Sequence, residues 1–220
     1  INALNVFPVP DSDTGSNMAH TMEAAVAELD NGGDVADSLA LGAVRGARGN
    51  SGMVLSQVLR GVAESTVDSV IDGDVFARSL QQAVELVDRA IAEPVEGTVI
   101  TVLKAAAEAA DDAEAQSGAT LHSIVSAAIA AAEKALERTP SQLPALREAG
   151  VVDAGGAGLV ILLESLLAEI EGSTGHTGLS EPEPDTELEV VFFFEGDIDT
   201  LQVAIAPLGD SLVIARATED

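Results

Sequence analysis

Residues 5–17 read N-V-F-P-V-P-D-S-D-T-G-S-N, and a helical pattern from Met18 to Leu29 follows at once. Asp11 and Asp13 flank a single residue, Ser12, so a bent, non-helical backbone turns both carboxylates toward one point. Pro8 and Pro10 fix φ on the approach and bias the residues before them toward extended conformations, which stiffens the turn before anything binds. Two like charges held together suit a hard cation. Mg²⁺ takes one or two carboxylates and completes its shell with water and phosphate oxygens, whereas Ca²⁺ needs six to eight oxygens, so the count favours magnesium. A calcium loop of the EF-hand kind is excluded, because Gly15 is fifth from Asp11 and the twelfth position is Met22. Thr14, Gly15, Ser16 and Asn17 then place a glycine, two hydroxyls and an amide at a helix start, where unpaired N–H groups attract anions. The stretch predicts a metal–phosphate site; an ordinary Asx turn and N-cap is the alternative.

Ten basic against 37 acidic residues give a net charge of −27 over 220 residues, which opposes binding to nucleic acid or an anionic membrane. A polyphosphate ligand would have to arrive with its own cation. The absence of cysteine excludes disulfides and thiolate metal sites, and with no signal peptide and no long uncharged apolar span the expectation is a cytoplasmic protein without an integral membrane segment. Starting at Ile1, the chain reads as a fragment with one core and part of a second. Alanine dominates several long segments and aromatics make up 2%, a composition of closely packed helices.

The other helices follow from apolar spacing and breakers. Asp34 caps a second helix to Arg45 after the turn Asp30-Asn31-Gly32-Gly33. G-A-R-G-N-S-G, residues 46–52, brings glycines that let backbone approach a ligand or a neighbouring helix, and Ser51-Gly52 opens a third helix, Met53 to Glu64. Arg45, Arg48 and Arg60 gather beside this start; Arg48 is the candidate to grip phosphate in a bidentate way, the alternative being simple solvation. A fourth helix spans Val75 to Ile91. Pro94 and Gly97 then break the pattern, and Thr98 begins a fifth helix to Asp112, the third glycine-hydroxyl helix start in the chain. Thr120 caps a sixth through Arg138, and Thr139-Pro140 opens a short seventh, Ser141 to Glu148. In D-A-G-G-A-G, residues 153–158, Asp153 and nearby N–H groups face a nucleotide or the glycines serve a helix–helix contact; the apolar helix that follows reaches Glu171. His122 reads as structural and His176 as solvated. Residues 172–187 form an acidic linker punctuated by Pro and Gly. Beyond it the runs 188–194 and 212–217 read as strands opening an incomplete second domain, 188–220.

Four ordered blocks, residues 2–18, 46–52, 95–98 and 139–158, make the chain resemble the kinase domain of the dihydroxyacetone kinase L-type superfamily. Within that superfamily it is most similar to the amino-terminal domain of bacterial fatty acid kinase A-type proteins. The resemblance covers residues 1–171 and implies an all-α, up-and-down barrel of eight helices with its first helix outside the chain, and ATP and Mg²⁺ at one end. The family opening carries Gly where this chain has Ser12. Three aspartates hold two Mg²⁺ ions in dihydroxyacetone kinases; Asp11 and Asp13 match two of them, and Asn5 is the candidate for the third position, which leaves one or two ions open. By the same matching Thr14, Gly15, Ser16, Asn17, Asn50, Ser51, Gly52, Gly97, Thr98, Asp153, Ala154 and Gly155 line the nucleotide, ATP or ADP, while Asp11, Asp13 and Arg48 are the catalytic candidates. The resemblance further implies that a separate, DegV-like fatty-acid-binding protein presents the acceptor, and homodimerisation through C-terminal domains. A hydroxyl kinase acting on dihydroxyacetone (glycerone), or a silent nucleotide-binding scaffold, are the competing readings.

Overall fold

The computed structural model describes residues 1–172 and positions 197, 200, 201 and 204. Among these residues the fold is all-α: α1 (Thr14–Glu28), α2 (Val35–Gly46), α3 (Gly49–Ser65), α4 (Gly73–Ala90), α5 (Val99–Glu114), α6 (Leu121–Gln142), α7 (Pro144–Ala149) and α8 (Ala154–Ile170). Short 3₁₀ turns occupy Asn2–Leu4 and Leu29–Asn31. The expected strands at 188–194 and 212–217, the domain built on them, and all of the linker after Gly172 lie outside the described residues.

The caps set the boundaries. Asp34 accepts the N–H groups of Ala36 and Asp37, Asp72 accepts that of Val75, and Thr120 with Ser123 forms a capping box on α6. Successive helices α1 to α6 each pack on the next, and α8 packs on α5, α6 and α1, so the bundle closes on itself. Short connections make neighbours antiparallel. The N-termini of α1, α3, α5 and α8 therefore share one end of the bundle, and those of α2, α4 and α6 the other.

The core is built from small and branched residues. Leu103, Val102, Ala106, Ala110, Val125, Ala128 and Ala132 of α5 and α6 have no exposed surface, with Phe76, Leu80, Leu159 and Leu163 packed around them. Each large aliphatic side chain buried this way contributes about 1.5–3 kcal/mol. Alanine and glycine at the seams bring backbones into contact: a Cβ on Gly61 of α3 would lie 2.7 Å from Ala83 N and 2.8 Å from Ser79 O of α4.

Four expected boundaries are corrected. α1 begins at Thr14 and α3 at Gly49, each four residues before the expected start, because their first turns are held by groups distant in sequence. α6 runs through Thr139 and Pro140 to Gln142, and the short helix starts at Pro144. Pro140 cannot donate to the Leu136 carbonyl, and the Thr139 hydroxyl takes that carbonyl instead, at 2.7 Å. The helix thus passes its proline without an orphaned acceptor.

Candidate functional site

The turn before α1 places the acidic pair. Ser12 sits at φ 61°, in the left-handed region, at the position where the resemblance expects glycine. This single residue reverses the chain enough for Asp11 and Asp13 to converge on the Asn5 carboxamide: Asn5 Nδ2 donates to Asp11 Oδ1 and, at 3.2 Å, to Asp13 Oδ1. Asn17, one turn into α1, donates through Nδ2 to Asp13 Oδ2. Asn5 and Asn17 are buried, whereas the two aspartates are half-buried and keep access to solvent.

The start of α1 is capped from outside its own turn. Asp13 is the N-cap residue, yet its carboxylate makes no cap hydrogen bond. Asn2 supplies the acceptor: its Oδ1 takes the N–H of Gly15 at 2.7 Å and of Ser16 at 3.1 Å, and its Nδ2 donates to Ser16 Oγ at 2.8 Å. Two N–H groups expected to meet phosphate are therefore already engaged.

The start of α3 adjoins that of α1. Ser51 Oγ donates to Thr14 O at 3.3 Å, and Arg48 N donates to Thr21 Oγ1 at 3.2 Å. Arg48 is the N-cap of α3, and its side chain makes no cap hydrogen bond. Of the three clustered arginines, Arg45 pairs with Glu28 at 3.1 Å and Arg60 is buried against Glu64 at 2.6 Å, well along the helix. The Arg48 guanidinium is exposed and has no carboxylate partner among the described residues. Asn50 and Ser51 stay half-buried beside it, and Gly52 is buried against Thr21 and the Asn17 carbonyl.

The remaining two starts are joined to each other. Asp153 caps α8 by accepting the Gly156 N–H at 2.7 Å, and it also accepts from the Val99 N–H at the start of α5. Burial pushes its carboxyl up to about 6, partly opposed by these two N–H donors. Gly155 packs against Val99, and a Cβ on Gly156 would lie 2.8 Å from Val102 Cγ2, so this glycine run is a helix–helix contact and its neighbours are side chains. Gly97, at φ 85°, turns the chain into α5, where Thr98 donates to Val95 O at 2.7 Å. Ala154 is buried in the first turn of α8. Met18 of α1 against Gly158 of α8 connects this pair of starts with the acidic pair.

The structure thus brings the expected residues to one end of the bundle. Thr14 and Asn17 of the α1 start meet Ser51 and Gly52 of the α3 start directly, and Val99, next to Thr98, meets Asp153 and Gly155. Sequence reading missed Asn2 and the bond from Asn17 to Asp13. The first leaves no local signal, since its partners lie 13 and 14 residues on; the second is an i, i+4 pair that helix periodicity shows once α1 is begun at Thr14. A hollow of about 900 Å³ between α2, α3 and α4, lined by Asp37, Arg60, Glu64 and Arg78, lies toward the other end and contains none of the expected residues.

Among the described residues no group of three or more His, Cys, Asp or Glu side chains is placed to hold a metal ion. The acidic pair offers two hard oxygen donors around one point, a set that fits Mg²⁺ completed by water and phosphate and does not fit Ca²⁺ or Zn²⁺. Asn5 would add an oxygen only with its carboxamide turned over, an exchange of two groups of nearly equal shape.

An all-helical bundle whose α1, α3, α5 and α8 starts share the end that carries an acidic pair is the class to which the comparisons assign the chain. The DAK2 domain family matches residues 8–168, so the chain belongs to that family, a dihydroxyacetone kinase-like nucleotide-binding domain. It is 42% identical over 180 residues to Protein YloV of Bacillus subtilis (strain 168), covering 79% of this chain and 32% of the relative. It is 37% identical over 206 residues to an uncharacterized protein of Staphylococcus aureus (strain USA300), covering 91% of this chain and 37% of the relative. The chain therefore spans about a third of the length of these curated relatives. No described helix is long and apolar enough to cross a membrane.

Proposed function

We propose that the domain binds Mg·ATP at the Asp11–Asp13 end and transfers the γ-phosphate to a fatty acid carboxylate presented by a separate, DegV-like fatty-acid-binding protein. The observation that carries this reading is the convergence of two half-buried carboxylates on one atom, Asn5 Nδ2, at the start of α1, which adjoins the start of α3. Bound Mg²⁺, one ion or two, would neutralise phosphate charge and align the γ-phosphate. Asp11 and Asp13 would hold it, with Asn5 contributing after its carboxamide turns. The exposed Arg48 guanidinium suits charge building up on the transferred group, while Asn50, Ser51 and the starts of α1, α5 and α8 surround the nucleotide.

Phosphoryl transfer relies on positioning and charge neutralisation more than on covalent help. A fatty acid carboxylate is already ionised at pH 7. Its oxygen forms the new bond to the γ-phosphorus as the bond to the β,γ-bridging oxygen breaks, giving an acyl phosphate and ADP without a proton removed. No base is then required of the histidines among the described residues, where His20 interacts with Glu23 on α1 and His122 pairs with Glu171.

The test is an acyl-phosphate assay, trapping product with hydroxylamine, using Mg·ATP and a fatty-acid-loaded carrier; hydroxamate formed only with carrier, acid and ATP together supports the reading. A carboxamide at position 5, where a third aspartate was expected, favours a second reading: a silent scaffold, for which Mg·ATP stabilises the fold but no acceptor turns over. Product with dihydroxyacetone in place of fatty acid would identify a hydroxyl kinase.

A further inference from the structure

We infer that Asn2 is a positioning residue for the cation site, acting through Asp13. This rests on the reading of Asp11 and Asp13 as cation ligands. An aspartate at an N-cap ordinarily accepts the N–H of the second or third helical residue. In α1 those residues are Gly15 and Ser16, and the N-cap is Asp13. Asn2 Oδ1 accepts both N–H groups, and the Asp13 carboxylate instead points to Asn5 and Asn17, next to Asp11. A borrowed cap thus holds the carboxylate off the helix end and on the cation side.

The device is built into one turn. Asn2 opens the 3₁₀ turn Asn2–Leu4 and Asn5 is its C-cap, with Asn5 N donating to Asn2 O at 3.0 Å, so one side chain grips the helix start while the other grips the acidic pair. Ile1 fastens the segment: a Cβ on Gly15 would lie 3.0 Å from Ile1 Cβ, and one on Gly158 of α8 would lie 3.5 Å from Ile1 Cδ1. With the Asn2 acceptor removed, two N–H groups at the positive end of α1 lose their partner, and the nearest carboxylate able to replace it is Asp13. Capping would then compete with cation binding.

The experiment measures Mn²⁺ binding to the full chain from the loss of the free-ion EPR signal, without nucleotide. Asn2→Ala and Asn2→Leu, the second keeping the side-chain volume, remove the acceptor; each is expected to weaken Mn²⁺ about tenfold, the scale on which outer-shell partners act. Without metal both melt within a few degrees of the wild type, because Asp13 takes over the cap. Asn2→Asp keeps the acceptor and is expected to hold Mn²⁺ within about threefold of the wild type. Wild-type affinity in Asn2→Ala or Asn2→Leu, loss in Asn2→Asp equal to theirs, or failure of both acceptor-less variants to fold would each overturn the inference. A wild-type chain that binds no Mn²⁺ would instead refute the reading of the carboxylates on which it rests.

Discussion

Thr21 Oγ1 accepts the backbone N–H of Arg48 at 3.2 Å while donating to Asn17 O at 2.7 Å, so one fully buried hydroxyl registers the start of α3 against α1. Thr21→Val keeps the shape of the side chain and removes both bonds, leaving the Arg48 N–H without its acceptor. The expected cost is about 1–2 kcal/mol, read as a lower urea midpoint at unchanged slope, with Thr21→Ser closer to the wild type.

Ser12 carries a left-handed conformation at φ 61° that glycine adopts without strain. Ser12→Gly is expected to stabilise the chain by up to about 1 kcal/mol, the gain being limited by the greater freedom of glycine in the unfolded state. Thermal melting checks this, and cation affinity should remain unchanged because both carboxylates keep their backbone geometry.

Asp153 gives a pH signature. Its carboxyl is raised from 3.8 to about 6, chiefly by burial, so the folded state holds the proton more tightly than the unfolded state. The contribution is nil below about pH 4, becomes increasingly unfavourable as pH rises to about 6, and is constant above. At 1.36 kcal/mol per unit the total is about 3 kcal/mol. The stability of the wild type relative to Asp153→Asn should fall by that order between pH 4 and 7, measured by denaturation at each pH; a flat difference would contradict the assignment.

Gly61 and Gly158 separate two kinds of close approach. A Cβ at Gly61 meets α4 backbone, which cannot move aside, whereas one at Gly158 meets the Met18 thioether, the far end of a flexible side chain. Gly61→Ala should cost about 1–3 kcal/mol, and Gly158→Ala clearly less, in the same urea titration.

Much of the bundle was legible because its signals are local. Apolar spacing, the caps Asp34 and Thr120, and the breaks at Gly32-Gly33 and Pro94–Gly97 place both limits of α2, α4 and α5 and the start of α6 within two residues of those observed. What was not legible depends on contacts between distant residues. α1 starts at Thr14 because Asn2 caps it across the acidic turn, and α6 survives Pro140 because Thr139 replaces the missing donor. The acidic pair was readable from its spacing and its prolines. The two uses open for the 153–158 run could not be separated by periodicity; burial of Asp153 against the α5 start and packing of Gly156 on Val102 give its glycines a structural role. Arg60 was placed with the phosphate-facing arginines by its position in sequence, but three turns of helix carry it to a buried pair with Glu64.

The most direct test is the thermal stabilisation of the wild type, Asp11→Asn and Asp13→Asn by ATP with and without Mg²⁺. With Mg·ATP at about 100 times its dissociation constant the wild type should gain about 2.7 kcal/mol, a rise of roughly 5–10 °C, and ATP without Mg²⁺ should add little. Each variant should keep the helical circular dichroism spectrum and lose the Mg²⁺-dependent rise. An undiminished rise in both variants would contradict the account, because it would place the cation away from the acidic turn.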